Sequence, residues 1–285
     1  MSGKEVKITV VCENTVGAPA GLTGEWGLAM LVETGGKKIL FDTGERGEVV
    51  NNAASLGADL RAVDALVLSH GHYDHTGGLR SFLRCRGRLP VYAHPGLFAP
   101  HYVSLNGDSF IGVPYRPEEL TSLGADFVFV REPAEIAPGL FVSGEVPRTT
   151  DFEEGDSRLF CPDAGGNRTA DPLADDMSLY CVLPEGLLII LGCAHAGVVN
   201  IVRHARQVTG VDRIYGIIGG THLGPVKDAQ REATIAFLKE LDLKFFAANH
   251  CTGLPVIARL AAVFGPRFSF APAGSVFSLP LKENG

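Results

Sequence analysis

Within six positions, His70, His72, Asp74 and His75 set three imidazoles and a carboxylate side by side. These are nitrogen and oxygen donors for a borderline divalent metal, zinc first, with iron, manganese and nickel also suited. His70 and His72 alternate along extended backbone and can point one way, while Asp74 and His75, past a turn, can point at a second position nearby. Two adjacent divalent metal ions are therefore the expectation. The donors follow an apolar run, Ala65-Leu66-Val67-Leu68, and precede Gly77-Gly78. A buried strand delivering polar side chains to a glycine-rich turn is how a metal site is mounted; a solvated histidine-rich tract has neither flank.

The elements that must hold this stretch repeat its pattern. Strands read over residues 6–12, 28–33 and 38–41, with Gly35-Gly36 as a hairpin turn between the last two. Asp42 follows the third strand. It can fix, through a hydrogen bond, the nitrogen that a metal-bound imidazole presents, or it can cap a helix read over residues 45–55. Further strands read over residues 89–93, ending at His94, and over 127–130, 140–143, 178–183, 187–191, 213–218 and 244–248. Helices read over 198–208, 229–241 and 255–264. Two halves, each of strands and then helices, predict an α/β sandwich of two mixed sheets flanked by helices.

Gly192-Cys193-Ala194-His195 closes one strand at a helix start, where backbone N–H groups could meet an anionic substrate. His222, after Gly219-Gly220, is a candidate to contact a leaving group or phosphate, or is structural. The glycine-rich residues 16–27 carry Glu25 and the only tryptophan, Trp26, in either a substrate-covering loop or an Ω-loop packed on its own tryptophan. Residues 151–177, rich in Gly, Asp, Asn and Pro, lack periodicity. They read as an irregular insertion that shapes the cleft or a homodimer contact, or as disorder.

At 285 residues, with no linker dividing it, the chain reads as a single domain, 1–285. Its 32 acidic and 25 basic side chains give a net charge of -7, a field that repels phosphodiester polymers and argues against nucleic acid as a partner. The first residues begin a strand, no apolar stretch is long enough to span a bilayer, and six scattered cysteines favour reduced thiols. A cytoplasmic protein with no membrane partner is expected.

His70-x-His72-x-Asp74-His75 after a hydrophobic strand, with Phe41-Asp42-Thr43-Gly44 upstream, resembles the signature of the metallo-β-lactamase-fold superfamily. The wider phrase runs through Cys12-Glu13-Asn14-Thr15, Gly144-Glu145-Val146-Pro147-Arg148, Gly192-Cys193-Ala194-His195 and His250-Cys251-Thr252-Gly253. It is similar to the dihydropteroate-synthase-like branch, whose relatives are linked to methanopterin biosynthesis. The resemblance implies a four-layer αβ/βα sandwich. It also implies one ion on His70, His72 and His195 and another on Asp74, His75 and His250, the last matching the fold's final metal motif. Glu145 lies where many members place a metal-binding histidine and could replace that ligand, contact substrate or pair with Arg148. Cys193 lies near the superfamily's bridging aspartate; His195 is the preferred donor there, with Cys193 a buried small side chain.

Such a centre predicts a metal-dependent hydrolase that attacks a small anionic ester or phosphoester with metal-activated water, Asp74 orienting the nucleophile or accepting its proton. A transferase condensing a pterin with an arylamine is the alternative the branch implies. A di-iron redox protein is less well supported: the flavodiiron relatives carry glutamate where His72 stands and are fused to a flavin domain. The remaining class is a non-catalytic metal scaffold.

Overall fold

The computed structural model describes residues 5–17 and 21–280. In chain order the first half runs β1 (Glu5–Cys12), β2 (Ala29–Thr34), β3 (Lys37–Phe41), α1 (Glu48–Ser55), β4 (Ala65–Val67), α2 (Tyr73–Thr76), α3 (Leu79–Arg86), β5 (Leu89–Ala93), β6 (Tyr102–Ser104), β7 (Asp108–Phe110), α4 (Pro117–Ser122) and β8 (Ala125–Phe129). The second half runs β9 (Ala134–Ala137), β10 (Leu140–Val142), β11 (Leu159–Pro162), β12 (Arg168–Ala170), β13 (Ser178–Leu183), β14 (Gly186–Leu191), α5 (Val198–Thr209), β15 (Ile214–Gly220), α6 (Asp228–Glu240), β16 (Phe245–Asn249), α7 (Leu254–Phe264), β17 (Phe268–Phe270) and β18 (Val276–Pro280).

Two seven-stranded sheets result, in the orders β18-β1-β2-β3-β4-β5-β8 and β17-β16-β15-β14-β13-β10-β9. Both are mixed: antiparallel at one end, then parallel from β3 to β8 in the first and from β14 to β17 in the second. Parallel neighbours need crossover connections, and the helices supply them on the outer faces.

Side-chain alternation along the strands separates the layers. In β3, Ile39 and Phe41 enter the core between the sheets, whereas Leu40 packs outward with Val49, Phe82 and Leu120 of α1, α3 and α4. In β14, Leu188 and Ile190 face the first sheet, while Leu187, Ile189 and Leu191 meet Ile201, Ile235 and Leu260 of α5, α6 and α7. The result is the four-layer helix–sheet–sheet–helix sandwich expected, with both faces of the central parallel strands buried. Among the described residues, no helix is long and apolar enough to cross a membrane.

Two expectations need correction. The first helix begins at Glu48 with Gly47 at its N-cap, so Asp42 caps no helix. Residues 151–177 are also not irregular throughout: β11 and β12 form a hairpin that joins β6 and β7 in a third, four-stranded sheet. Phe160 stacks on Tyr102 at 5.3 Å between ring centroids, with the Arg168 guanidinium 3.9 Å over the Phe160 ring. These strands are short and largely exposed, so they carry no alternation to read.

Candidate metal centre

The carboxyl ends of parallel strands from both sheets meet at one edge of the sandwich, the place where open α/β sheets put their ligands. β4 leads into His70, β14 into Cys193 and His195, β15 into His222 and β16 into His250. The chain turns sharply there: Asp42, Ala194, His222 and His250 all have positive φ, from 50° to 61°. A non-glycine residue held this way costs about 1–3 kcal/mol and persists where its surroundings over-determine it. Gly192 is glycine for a steric reason, since a Cβ there would run into the Ser69 side chain and hold the two sheet ends apart.

This convergence gathers the predicted donors. The ligating atoms of His70, His72 and His195 lie within 4.8 Å of one another, as do those of Asp74, His75 and His250. His75 Nε2 approaches His250 Nε2 to 3.1 Å, and Asp74 Oδ2 is 3.3 Å from the same His250 nitrogen. All six residues are buried; His72 turns its Nδ1 to within 3.0 Å of His70 Nε2, and His195 Nε2 has no hydrogen-bond partner among the described residues. Leaving a buried polar nitrogen unpaired is costly, so imidazole nitrogens brought this close, one of them partnerless, fit a metal.

A second ring of groups sets the imidazole orientations. The Asp42 carboxylate lies 2.7 Å from His75 Nδ1 and accepts from Ser69 N and Ser69 Oγ, also at 2.7 Å. Ser69 Oγ is 2.8 Å from His70 Nδ1, and Asn14 Oδ1 is 3.0 Å from His250 Nδ1. Such partners leave the opposite ring nitrogen free to ligate. Backbone is fixed in the same way. Glu13 accepts from His250 N, Asp175 from Gly71 N and Asp176 from Ala196 N.

The electrostatics divide the donors into two kinds. Burial and neighbouring imidazoles hold His70 and His195 well below the ordinary histidine range, and burial brings His72 down to about 3. These three are neutral, the ligating form. Burial opposes ionisation of Asp74, yet His75 and His250 outweigh it and hold the carboxyl well below the carboxylate range. Burial pulls His75 down, but Asp42 and Asp74 prevail and push it up to about 9.

His222 joins the cluster: its ring stands 4.1 Å from that of His195 between centroids, and its Nε2 is 3.6 Å from Asp156 Oδ2. Burial lowers its proton affinity, and contacts with Asp156 and Cys251 more than reverse this, to about 9. Glu145 is not brought to the donors. Gly144 turns the chain at φ 64°, Glu145 N donates to Arg131 O, and the carboxylate pairs with Arg131 at 2.6 Å and His94 at 3.4 Å. Arg148, one of the three roles open to Glu145 being to pair with it, instead donates to the carbonyls of His195 and Pro172. Residues 18–20 of the loop before it lie outside the described residues; Trp26 itself is 54% exposed, and its ring lies 5.7 Å from that of His250.

The α5 N-terminus does not await a substrate anion, because Glu153 already fills it. Its carboxylate accepts from Val199 N at 2.9 Å and Asn200 N at 3.0 Å. Sequence gave no signal for a cap supplied from 46 positions away. Glu153→Ala is expected to destabilise the protein by about 0.5–2 kcal/mol, the usual loss for a helix cap, as measured by urea denaturation. An unchanged midpoint would show that solvent satisfies the helix end equally well.

Residues 23–175 match the family model described as metallo-beta-lactamase superfamily. A 7,8-dihydropterin-6-methyl-4-(beta-D-ribofuranosyl)-aminobenzene-5'-phosphate synthase of Methanocaldococcus jannaschii is 29% identical over 281 residues, covering 95% of this chain and 96% of the relative. An uncharacterized protein of the same organism is 30% identical over 95% of this chain and 100% of its own length. Among solved structures, one described as a metal-dependent hydrolase of the beta-lactamase superfamily superposes with a TM-score of 0.83 at 26% identity, over 96% of this chain and 99% of that one. The donors at the carboxyl strand ends, the four-layer sandwich and these matches lead to one assignment: the chain belongs to the metallo-beta-lactamase superfamily.

Proposed function

We propose that this protein is a metal-dependent hydrolase of a small anionic ester or phosphoester. The observation that carries the reading is the convergence of His70, His72, His195, Asp74, His75 and His250, with His195 Nε2 unpaired among the described residues, beside an open cavity of about 510 Å³ that His195 helps to line. That volume suits a small molecule. These donors would hold a pair of divalent ions, zinc first, which would supply Lewis-acid stabilisation and lower the pKa of water near the site. Asp74, kept ionised by His75 and His250, orients the attacking water and takes its proton. His222, backed by Asp156, can return a proton to the leaving group.

Arg148 supports the preference for an anion. Its guanidinium lines the cavity and, among the described residues, donates only to two neutral carbonyls, at 2.8 Å and 2.7 Å. Among the other charges lining the cavity, Lys227 pairs with Glu154, Asp156 with Arg158, Asp171 with His101 and Glu153 with the α5 N–H groups, while Asp151 is exposed and has no ion-pair partner among the described residues. Arg148→Ala should raise KM about 10–100-fold, the equivalent of a lost charge-assisted hydrogen bond of about 1.5–3 kcal/mol, with kcat little changed. Steady-state kinetics on the best substrate measure it, and an unaltered KM would remove Arg148 from substrate binding.

Untagged protein, assayed for metal and then against a panel of small phosphoesters and carboxyl esters, tests the proposal. Turnover should vanish on chelation, return with zinc and be lost in His72→Ala. A second reading, transfer, is favoured by the similarity over 95% of the chain to a protein named as a synthase of a pterin-bearing aminobenzene phosphate. Product formed only when a pterin and an arylamine are both supplied would replace hydrolysis with condensation.

A further inference from the structure

We propose that His101 is a positioning residue: held between Asp171 and Asp175 of the insertion, it fixes the turn His70-Gly71-His72 in the geometry that binds metal. This rests on the metal-dependent reading above and concerns a histidine outside the six donors.

Three observations carry it. The first is the company His101 keeps. The residue directly precedes β6 and is 2% exposed, and two aspartate side chains are buried with it. Its Nδ1 lies 2.6 Å from Asp171 Oδ2, and its Nε2 faces Asp175 Oδ2 at 3.6 Å. An ionised carboxylate only accepts, so the imidazole is the donor to Asp171. Burying an imidazole with two carboxylates is costly, and a fold that needed only packing at this place would use apolar side chains.

The second is contact with the donor turn from two sides. Asp175 Oδ2, the oxygen that faces His101, also accepts from Gly71 N at 2.7 Å. Gly71 stands between His70 and His72, and a Cβ there would collide with Leu97 O and press to 3.2 Å from His101 Nε2. The rings of His101 and His72 meet edge to face, 5.2 Å between centroids at 86°. The main chain adds a further tie: Ile111 N donates to His101 O, and Tyr73 N donates to Ile111 O, both at 2.9 Å. Because Tyr73 lies between His72 and Asp74, His101 is fastened to both halves of the motif.

The third is where the carboxylates come from. Asp171 and Asp175 belong to the insertion, whose strand β11 pairs with β6 immediately after His101. Asp171 also lines the cavity. A path from Asp171 through His101 and Asp175 to Gly71 N therefore joins the cavity wall to the donor turn, in contacts of 2.6, 3.6 and 2.7 Å. Without the imidazole, two buried carboxylates would face each other unpaired and would have to move apart or take up water, and Gly71 N moves with Asp175. The turn between two ligands would then lose its fixed position.

Zinc affinity of the full-length protein, measured by competition with a chromophoric chelator on variants that circular dichroism shows to be folded, decides the matter independently of turnover. His101→Ala should weaken zinc binding about 10-fold or more, as loss of a group that orients metal ligands does. Asp171→Ala, one step further from the donors, should weaken it too. The double variant should be little worse than His101→Ala alone, because both act through one path. His101→Gln, which puts an N–H where Nε2 faces Asp175, should recover most of the loss, whereas a role in folding alone would lower the denaturation midpoint without this pattern. Should His101→Ala fail to fold, His101→Gln is compared with His101→Asn, whose shorter amide reaches Asp171 only, and glutamine should bind zinc more tightly. The proposal is overturned if folded His101→Ala binds zinc as wild type does, if the two single losses simply add, or if glutamine does no better than alanine or asparagine. Those results leave the hydrolase reading standing. Failure of wild type to bind zinc would overturn both.

Discussion

Asp42→Ala is expected to weaken zinc binding about 10–100-fold and to destabilise the fold by about 3–5 kcal/mol, measured by chelator competition and by chemical denaturation. The magnitude follows from what one carboxylate holds together. Asp42 is fully buried at the end of β3 and contacts Ser69 N, Ser69 Oγ and His75 Nδ1, each at 2.7 Å. Removing it strands a backbone N–H that water cannot reach and frees the His75 ring to rotate. Alanine also suits the backbone less well, because Asp42 has φ 61°, a region that aspartate and asparagine tolerate better. Asp42→Asn is therefore the informative partner, retaining an acceptor for Ser69 N and the conformational preference while losing the charge.

That charge leaves a pH signature in the metal-free protein. A histidine whose folded value lies above its unfolded value of about 6.5 contributes stability fully below that pH, and the contribution fades as pH rises through the folded value. Burial works against His75, but Asp42 and Asp74 raise it to about 9. The stability advantage of wild type over Asp42→Asn should thus be largest at slightly acidic pH and shrink between about 6.5 and 9. An advantage that grows over this window would mean that His75 is neutral against Asp42.

What the sequence made readable tracks what is local. The strand before His70 and the strands ending at residues 191, 220 and 249 announce themselves because parallel strands buried on both faces are continuous apolar runs, and a donor closing such a run is conspicuous. The two triads could be grouped because the family resemblance supplies the long-range pairing that spacing cannot. Groups defined only by their partners escaped. Glu13 and Asn14 stand inside the phrases that carry the resemblance and Ser69 directly precedes His70, yet nothing in an isolated serine or asparagine says that it orients an imidazole. Asp175 and Asp176 lie in a stretch without periodicity, and their service to Gly71 and Ala196 depends on a chain reversal between distant elements. Glu145 misled in the opposite sense. Chain order puts it where a ligand belongs, but the left-handed turn at Gly144 delivers it to Arg131. Cys193 escaped in the same way, because its approach to the His75 imidazole depends on a partner far away in the chain.

Asp74 is the only carboxylate among the six predicted donors, which is why its removal should be the most damaging single change to turnover. Asp74→Asn keeps the shape of the side chain and the short helix Tyr73–Thr76 in which it sits, while removing the negative charge beside His75 and His250. Loss of a positioned proton acceptor typically costs about 10²–10⁴-fold in rate, and kcat is expected to fall by that amount while KM, if set by Arg148 as proposed, changes little. Because His75 and His250 keep Asp74 ionised far below neutral pH, its own protonation should not produce an acidic limb near neutrality in the wild-type rate profile. The measurement must include metal content. A variant that keeps two ions and loses the rate locates the defect in proton handling; one that loses an ion locates it in ligation. A variant with both ions and a rate within a factor of about 10 of wild type, well inside the loss expected for a missing base, would assign water activation to another group.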